Sequence, residues 1–259
     1  MSVAPSDVLA GSAWLRCSSP FPHIVARNVF KPGYYAALER QIYGILRQGL
    51  SEVPAPGRFS RNLPGYDAYA LGLGPVPGEP AELFFTREWR EMLAGIWGVC
   101  PTPYMFAGAH HHAPGSAAGF IHNDLNPVWF PRAAGGRVQI PDEQLCSYKT
   151  GAGPLAPGQK VEVVRGAALI LYLANQEWRP GDGGETALYE SSGVRVDDPV
   201  AAWPPENNSL VSFECTPHSF HTFLANTRIA RTSIIMWVHR PLEEAVSLYG
   251  EDGLERWRS

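Results

Sequence analysis

The chain has 259 residues, 45% apolar and 11% aromatic, enough for one large core and a natural size for an all-β barrel or sandwich built as a single domain. Its net charge of −4, with no block of Lys or Arg, lacks the electrostatic footprint of a nucleic-acid binder. No stretch has the apolar length that spans a bilayer, and "MSVAPSDVLAGSAWLRC" is not a basic segment followed by a long apolar run. A cytoplasmic protein is therefore expected, with the scattered Cys17, Cys100, Cys146 and Cys215 as reduced thiols.

Residues 1–20 read as a loose lead-in, and "FPHIVARNVF" (21–30) as a strand ending at a Lys-Pro-Gly turn. Tyr35, Leu38, Ile42, Ile45 and Leu46 recur at helical spacing and predict an amphipathic helix over about 34–49. The Pro- and Gly-rich run 51–80 predicts an ordered excursion, and 79–98 a second helix. From about residue 103 short β-rich runs separated by Gly, Pro, Asn and Asp take over: 103–111, 118–123, 137–140, 145–149, 161–164, 167–174, 186–189, 193–196, 208–214, 219–225 and 229–239. "AALILYLA" is apolar on both faces and should be a central strand under helices or a second sheet. The organisation expected is one domain over 1–259: helical support in 1–100, a jelly-roll core in 101–240 and a helical tail in 241–259. The fold class is mainly β with flanking helices, a double-stranded β-helix of the jelly-roll or cupin kind. The early helices and the "EEAVSLYGEDGLERW" tail can pack on the sheet or on a partner subunit in a homodimer.

Chemistry concentrates on a few polar residues. In "GFIHNDLNP", His122 and Asp124 are two apart and on a strand would share a face, with Asn123 turned away. Alone, such a pair is also what a turn histidine beside a capping aspartate looks like. His221 in "PHSFHTF" completes a set of two histidines and one carboxylate, the facial triad that holds Fe(II) and leaves half of its positions open. "HSFHTFLANTRIARTSIIMWVHR" reads as two strands joined at 226–228. A three-residue loop there would set Phe223 opposite Arg231 and His221 opposite Ser233, all on one face. An arginine inside a strand as apolar as "TSIIMWV" needs an anionic partner, and its planar fork suits a carboxylate, with Ser233 adding a hydroxyl.

At these residues the chain resembles the Fe(II)/2-oxoglutarate-dependent dioxygenase superfamily, and is closest in pattern to its prolyl-4-hydroxylase-like branch. The resemblance covers about 100–240: "APGSAAGFIHNDLNP", "AALILYLANQEWRPGDGGETALY" and "SFHTFLANTRIARTSIIMWVHR", in that order. It implies that His122, Asp124 and His221 are iron ligands, and that Arg231 binds the distal carboxylate of 2-oxoglutarate with help from Ser233. The cofactors implied are Fe(II), 2-oxoglutarate and O2, and the reaction is oxidation of an unactivated C–H with release of succinate and CO2. Many members of that branch carry lysine where Arg231 stands, which separates this chain from them in substrate rather than cosubstrate. Asp124 argues against the halogenase variant. The segment 125–166 is longer than the minimal fold needs and suits a hairpin or lid over the site.

Further residues fall in place around these. His110 and His112 share a strand face, with His112 expected at the cosubstrate and His110 at the substrate, while His111 points the other way. Tyr172 is a candidate cosubstrate contact and Tyr104 a candidate pocket hydroxyl. Trp129 and Arg132, just after the ligand aspartate, are candidate substrate residues. Glu185 and Thr186 read as caps of the "GDGGET" turn, Trp237 as an inward wall, and His239 as a strand end. The expected substrate is a small molecule or an amino-acid-like compound, with peptidyl prolyl hydroxylation as the alternative. A cupin-like isomerase or metal-binding protein is the alternative from another class, but it gives no reason for Arg231 and Ser233.

Overall fold

The computed structural model describes residues 3–63, 65–133, 135 and 138–257. Among them the order is α1 (Pro5–Val8), β1 (Trp14–Cys17), β2 (His23–Arg27), α2 (Pro32–Leu46), β3 (Tyr69–Gly72), a 3-10 turn (Pro80–Phe85) and α3 (Arg87–Trp97). Then come β4 (Met105–His112), β5 (Pro127–Pro131), β6 (Lys160–Tyr172), β7 (Thr186–Leu188), β8 (Ala201–Trp203), β9 (Ser209–Glu214), β10 (His221–Phe223), β11 (Arg231–Pro241) and α4 (Leu242–Tyr249).

β6 organises the molecule. The two runs expected at 161–164 and 167–174 are one continuous strand: Arg165 stays in the ladder opposite His239, and the register shifts past Gly166 in a bulge that does not end the strand. Its first half pairs with β5 and its second half with β9, and β11 runs along its other edge. The large sheet reads β1-β2-β9-β6-β11-β4-β3, with β5 attached to β6, and every pairing in it is antiparallel. A second sheet, β10-β7-β8, is the other layer of the double-stranded β-helix.

The pleat of β6 divides the core in two. Ala167, Leu169, Leu171 and Leu173 pack with Leu38, Ile42, Trp89 and Leu93 from the helices. Ala168, Ile170 and Tyr172 face Leu188, Phe213 and Trp237 on the side of the small sheet. A strand apolar on both faces is thus sandwiched between helices and a second sheet, as its sequence requires.

Several expectations change. The helix over 79–98 splits at Thr86, whose extended backbone ends the 3-10 turn and whose hydroxyl accepts from Trp89 N at 3.2 Å to start α3. The first hundred residues are not only helical support, since β1, β2 and β3 join the large sheet. The runs 145–149 and 193–196 are turns. Residue 137 lies outside the described residues, and the rest of its run contributes a single bridge, Gln139 to Tyr104. In place of a lid hairpin, 125–166 holds β5, a looped excursion and the start of β6. The cysteines are unpaired. α4 packs on the large sheet, with Ala245 in its core.

The largest correction concerns β10 and β11. They do not form a hairpin: β10 pairs with β7 in the small sheet, whereas β11 lies between β4 and β6 in the large one. The segment 224–230 therefore crosses from layer to layer. Arg231 lies beside His112 in the ladder, and Ser233 between His110 and Tyr172.

Candidate metal centre

His122 and His221 meet through an isolated antiparallel bridge, His122 N to His221 O at 3.1 Å and His221 N to His122 O at 2.8 Å. Gly119 makes this approach feasible, because a Cβ there would lie 2.5 Å from Thr222 Oγ1 and 2.8 Å from the Phe223 ring. Asp124 is not on a strand at all. Its φ of +62° is left-handed, a conformation aspartate tolerates better than most residues, and it turns the carboxylate back toward the two rings. Convergence thus comes from a bridge and a left-handed turn, not from strand pleat.

The two rings are oriented alike. His122 Nδ1 lies 2.9 Å from Phe120 O and His221 Nδ1 lies 2.9 Å from Ser219 O, each a carbonyl two residues back. An N–H donated there fixes the tautomer and leaves Nε2 as the free lone pair, the usual outer-shell arrangement of a metal-binding histidine. Both Nε2 atoms face Asp124: 3.7 Å from His122 to Oδ1 and 3.5 Å from His221 to Oδ2. One donor atom from each residue lies within 4.8 Å of the others. Two imidazoles and a carboxylate so placed fit Fe(II).

The carboxylate is held from behind. Arg165 Nη1 donates to Asp124 Oδ1 at 2.5 Å and to Asn126 Oδ1 at 3.2 Å, and Trp237 Nε1 donates to Asp124 Oδ2 at 2.9 Å. The Arg165 guanidinium lies flat over the Trp237 ring, 3.7 Å from its centroid. Burial alone would raise the Asp124 carboxyl, but Arg165 and the neighbouring histidines hold it well below the usual carboxylate range. Burial, then the facing His221, lowers His122 to about 4, so it is neutral and available as a ligand at pH 7.

A second polar group sits across from the triad. Arg231 is 2% exposed. Its Nε donates to Gly184 O at 2.8 Å, its Nη1 to Ser233 Oγ at 3.3 Å and its Nη2 to Thr186 Oγ1 at 3.2 Å. Tyr172 also donates its hydroxyl to Thr186 Oγ1. Thr186 therefore serves this cluster and does not merely cap a turn. The GDGGET turn can close only with glycine at 183: φ is +77° and a Cβ would lie 1.9 Å from Ala225 O. Among the described residues no carboxylate pairs with Arg231, so a buried cation stands without a counter-charge. His112 joins it, 1% exposed, with its ring 4.0 Å from that of Phe223 and its Nε2 buried without a partner among the described residues. This group fits one carboxylate of a dicarboxylate such as 2-oxoglutarate in charge and in donor set.

His110 lies on the same face of β4, half-buried, with neither ring nitrogen hydrogen-bonded to a described residue. Burial, then Arg231, lowers it to about 4. Two expected substrate residues lie elsewhere. Arg132 donates to the carbonyls of Gly158 and Lys160 and ties down the end of β5. Trp129 packs against Gly151 and beneath the Lys160 ammonium. Trp129 takes the outward pleat of β5, an edge strand that the sequence did not signal, and Arg132 lies just past its end. Tyr104 hydrogen-bonds Ala133 N and is a wall of the core around Phe130. His239 is no strand end: fully buried, it lies 3.0 Å from Tyr148 OH and 2.9 Å from Tyr104 O.

The sequence reading missed four residues near the triad. Tyr66, from the 51–80 excursion, sets its ring 4.9 Å from Phe120 and 5.8 Å from Phe223, with its hydroxyl 3.3 Å from His122 Nδ1. Its neighbour Asp67 anchors it, accepting from Ala117 N through the carboxylate and lying 3.2 Å from His112 Nδ1 through the carbonyl. Arg165 and Tyr148 form the opposite wall. Arg165 carried the same signal as Arg231, a cation inside an apolar strand, in "VEVVRGAALILYLA".

Residues 144–239 match a family model described as the 2OG-Fe(II) oxygenase superfamily. No curated protein matches the sequence. Among solved structures, a prolyl hydroxylase from Trichoplax adhaerens in complex with a hypoxia inducible factor oxygen degradation domain peptide fragment is similar. It has a TM-score of 0.55 and 14% identity, over 87% of this chain and 86% of that one. A prolyl-4-hydroxylase from Pseudomonas putida has a TM-score of 0.52 and 16% identity, over 89% of this chain and 94% of that one. At these identities the likeness shows a shared fold.

Proposed function

We propose that the chain, a 2-oxoglutarate-dependent dioxygenase by family match and triad with Fe(II), 2-oxoglutarate and O2 as its cofactor set, hydroxylates an unactivated C–H of a small, amino-acid-like substrate. His122 and His221 bind iron through Nε2 and Asp124 through its carboxylate. Arg231 and Ser233, with Tyr172 and Thr186 behind them and His112 beside them, receive the distal carboxylate of 2-oxoglutarate. His110 faces the space between iron and substrate.

When bound, iron with 2-oxoglutarate and O2 supplies the oxidising power that converts C–H to C–OH, giving succinate and CO2. The chain's own residues do the rest. The Phe120 and Ser219 carbonyls fix the histidine tautomers. Arg165 and Trp237 keep Asp124 ionised and aimed at the metal. Tyr66 and Phe223 cover the histidine side and keep water away. The observation that carries this reading is the buried Arg231 without a carboxylate partner among the described residues, opposite a triad whose Nε2 atoms converge. A second reading, hydroxylation of a peptidyl proline, is favoured by the names of the structures that share the fold.

The test is anaerobic titration with Fe(II) and then 2-oxoglutarate, in wild type, His221→Ala and Arg231→Ala. A visible charge-transfer band is expected in wild type, absent in His221→Ala and displaced to much higher 2-oxoglutarate in Arg231→Ala. Metal binding without any band in wild type would overturn the reading and leave a cupin-like metal site. Proline-containing peptides, offered beside free amino acids, separate the two substrate readings by succinate formation.

A further inference from the structure

Beside Asp124, around Arg165, several donors have no acceptor among the described residues. The C-terminal segment returns to the site after α4: Glu255 N donates to Leu125 O at 3.0 Å, and Asn126 Nδ2 donates to Glu255 O at 2.6 Å. These two bonds fasten the tail to the residues that follow the aspartate and bring Trp257 beside Arg165, whose guanidinium carbon lies 5.3 Å from the Trp257 ring centroid. The looped excursion within 125–166 brings Lys149 to the same indole, its ammonium 4.6 Å from the centroid.

The hydrogen bonding there is one-sided. Trp257 Nε1 is buried without a partner, which is costly for a donor unless something outside the described residues accepts from it. Lys149 has neither a hydrogen bond nor a carboxylate within ion-pair reach among the described residues, and partial burial followed by the Arg165 charge lowers its pKa. Arg165 uses Nη1 on Asp124 and Asn126 and Nε on Tyr148, which leaves Nη2 without a protein acceptor among those residues. Arg165 itself is 5% exposed and forms the buried floor of the site, with Lys149 exposed at its rim. Aromatic faces from Trp237, Tyr148 and Trp257 wall it and lower the local dielectric, which strengthens an ionic contact.

We propose that Lys149 and Trp257, beside Arg165, form a carboxylate subsite that holds the acid group of a free amino acid or a comparably short carboxylic acid. The aliphatic carbon of that substrate then lies toward His122, Asp124 and His221. The proposal rests on the oxygenase reading above and narrows its substrate to one with an unblocked carboxylate. A residue within a peptide has an amide in that place, which neither draws an ammonium nor accepts a charge-assisted bond equally well. The two residues that make the distinction come from the excursion and the tail, both outside the strands that build the triad.

The experiment uses the full chain with Fe(II) and 2-oxoglutarate and a panel of the common L-amino acids, each as the free acid and as its C-terminal amide. Succinate formation is the readout. At least one free acid is expected to stimulate turnover, with its amide weaker by about tenfold or more. Lys149→Met and Trp257→Phe, which keep chain length and ring while removing the donor, are expected to raise KM for that acid about tenfold with little change in kcat. Amides as good as acids, a panel in which no free acid stimulates, or an unchanged KM in Lys149→Met would each overturn the subsite. The Fe(II)/2-oxoglutarate band in wild type separates this failure from that of the oxygenase reading: its presence with no acid preference removes the subsite alone, and its absence removes both.

Discussion

Two buried arginines flank the triad, and they differ in what they lack. Arg165 is paired with Asp124, so its charge is met within the protein. Arg231, equally buried, is held by a carbonyl and two hydroxyls, all neutral, and meets no carboxylate among the described residues. Both sit in long apolar strands of the same sheet. Burial of a cation therefore does not identify a ligand site, whereas burial of a cation whose fixed partners are all neutral does. The first arginine serves the geometry of a metal ligand, and the second leaves its charge for a mobile anion.

Exchanging the two roles is the largest effect to look for. Arg165→Ala leaves a buried carboxylate unpaired and should cost about 3–5 kcal/mol of metal-free stability, measured by urea unfolding. Arg231→Ala removes a buried charge that has no fixed counter-ion among the described residues. Its metal-free stability should change much less, while the 2-oxoglutarate concentration needed for half-maximal turnover rises by about thirtyfold or more. Equal stability losses in the two variants would break the comparison.

A smaller effect tests how far the support of Asp124 reaches the metal. Trp237→Phe keeps the ring beneath Arg165 and removes only the N–H donated to Oδ2. Fe(II) affinity, followed by competition with a chelator, should fall about 10- to 100-fold, the range for loss of an outer-shell partner. An unchanged affinity would show that Arg165 alone orients the carboxylate.

The legibility of these parts in the sequence follows the same division. The triad and Arg231 stand in short segments where a polar residue interrupts an apolar pattern, and three such segments in order gave both the fold class and the candidate residues. Partnerships between segments were not readable. Placing β10 and β11 in one hairpin was reasonable from "FLANTRIA", yet the crossing at 224–230 puts them in different sheets, and only the pairing of β10 with β7 reveals it. Asp124 reached its partners through a left-handed backbone that an HxD pattern does not report. Tyr66, Tyr148 and Trp257 come from an excursion, an insertion and a tail, where no periodicity fixes which way a side chain points. Trp129 and Arg132 were chosen for closeness in sequence to the aspartate, but Trp129 sits on the outward pleat of β5 and Arg132, just past its end, is bound to the Gly158 and Lys160 carbonyls.

The smallest effect concerns the wall behind Arg165, where a titratable group is held neutral. Burial lowers His239 to about 3, and the nearby Arg165 works in the same direction, against the Tyr104 carbonyl, which favours the charged form. With Nδ1–H donated to Tyr104 O, Nε2 is left to accept from Tyr148 OH. A proton on Nε2 would remove that acceptor and add a cation near Arg165. The unfolded chain has an ordinary histidine of pKa about 6.5, which binds a proton that the folded state refuses. His239 therefore favours the folded state fully above about pH 6.5, and that contribution is lost as pH falls toward 3, at about 1.4 kcal/mol per pH unit. Other buried histidines add to the slope in wild type; His111, lowered to about 4 by burial, is one. In His239→Gln the dependence of the urea midpoint on pH between 6 and 4 should flatten by about one proton, whatever the variant's absolute stability. An unaltered slope would mean that His239 takes up its proton in the folded protein, and that the wall behind Arg165 is wetter than its packing indicates.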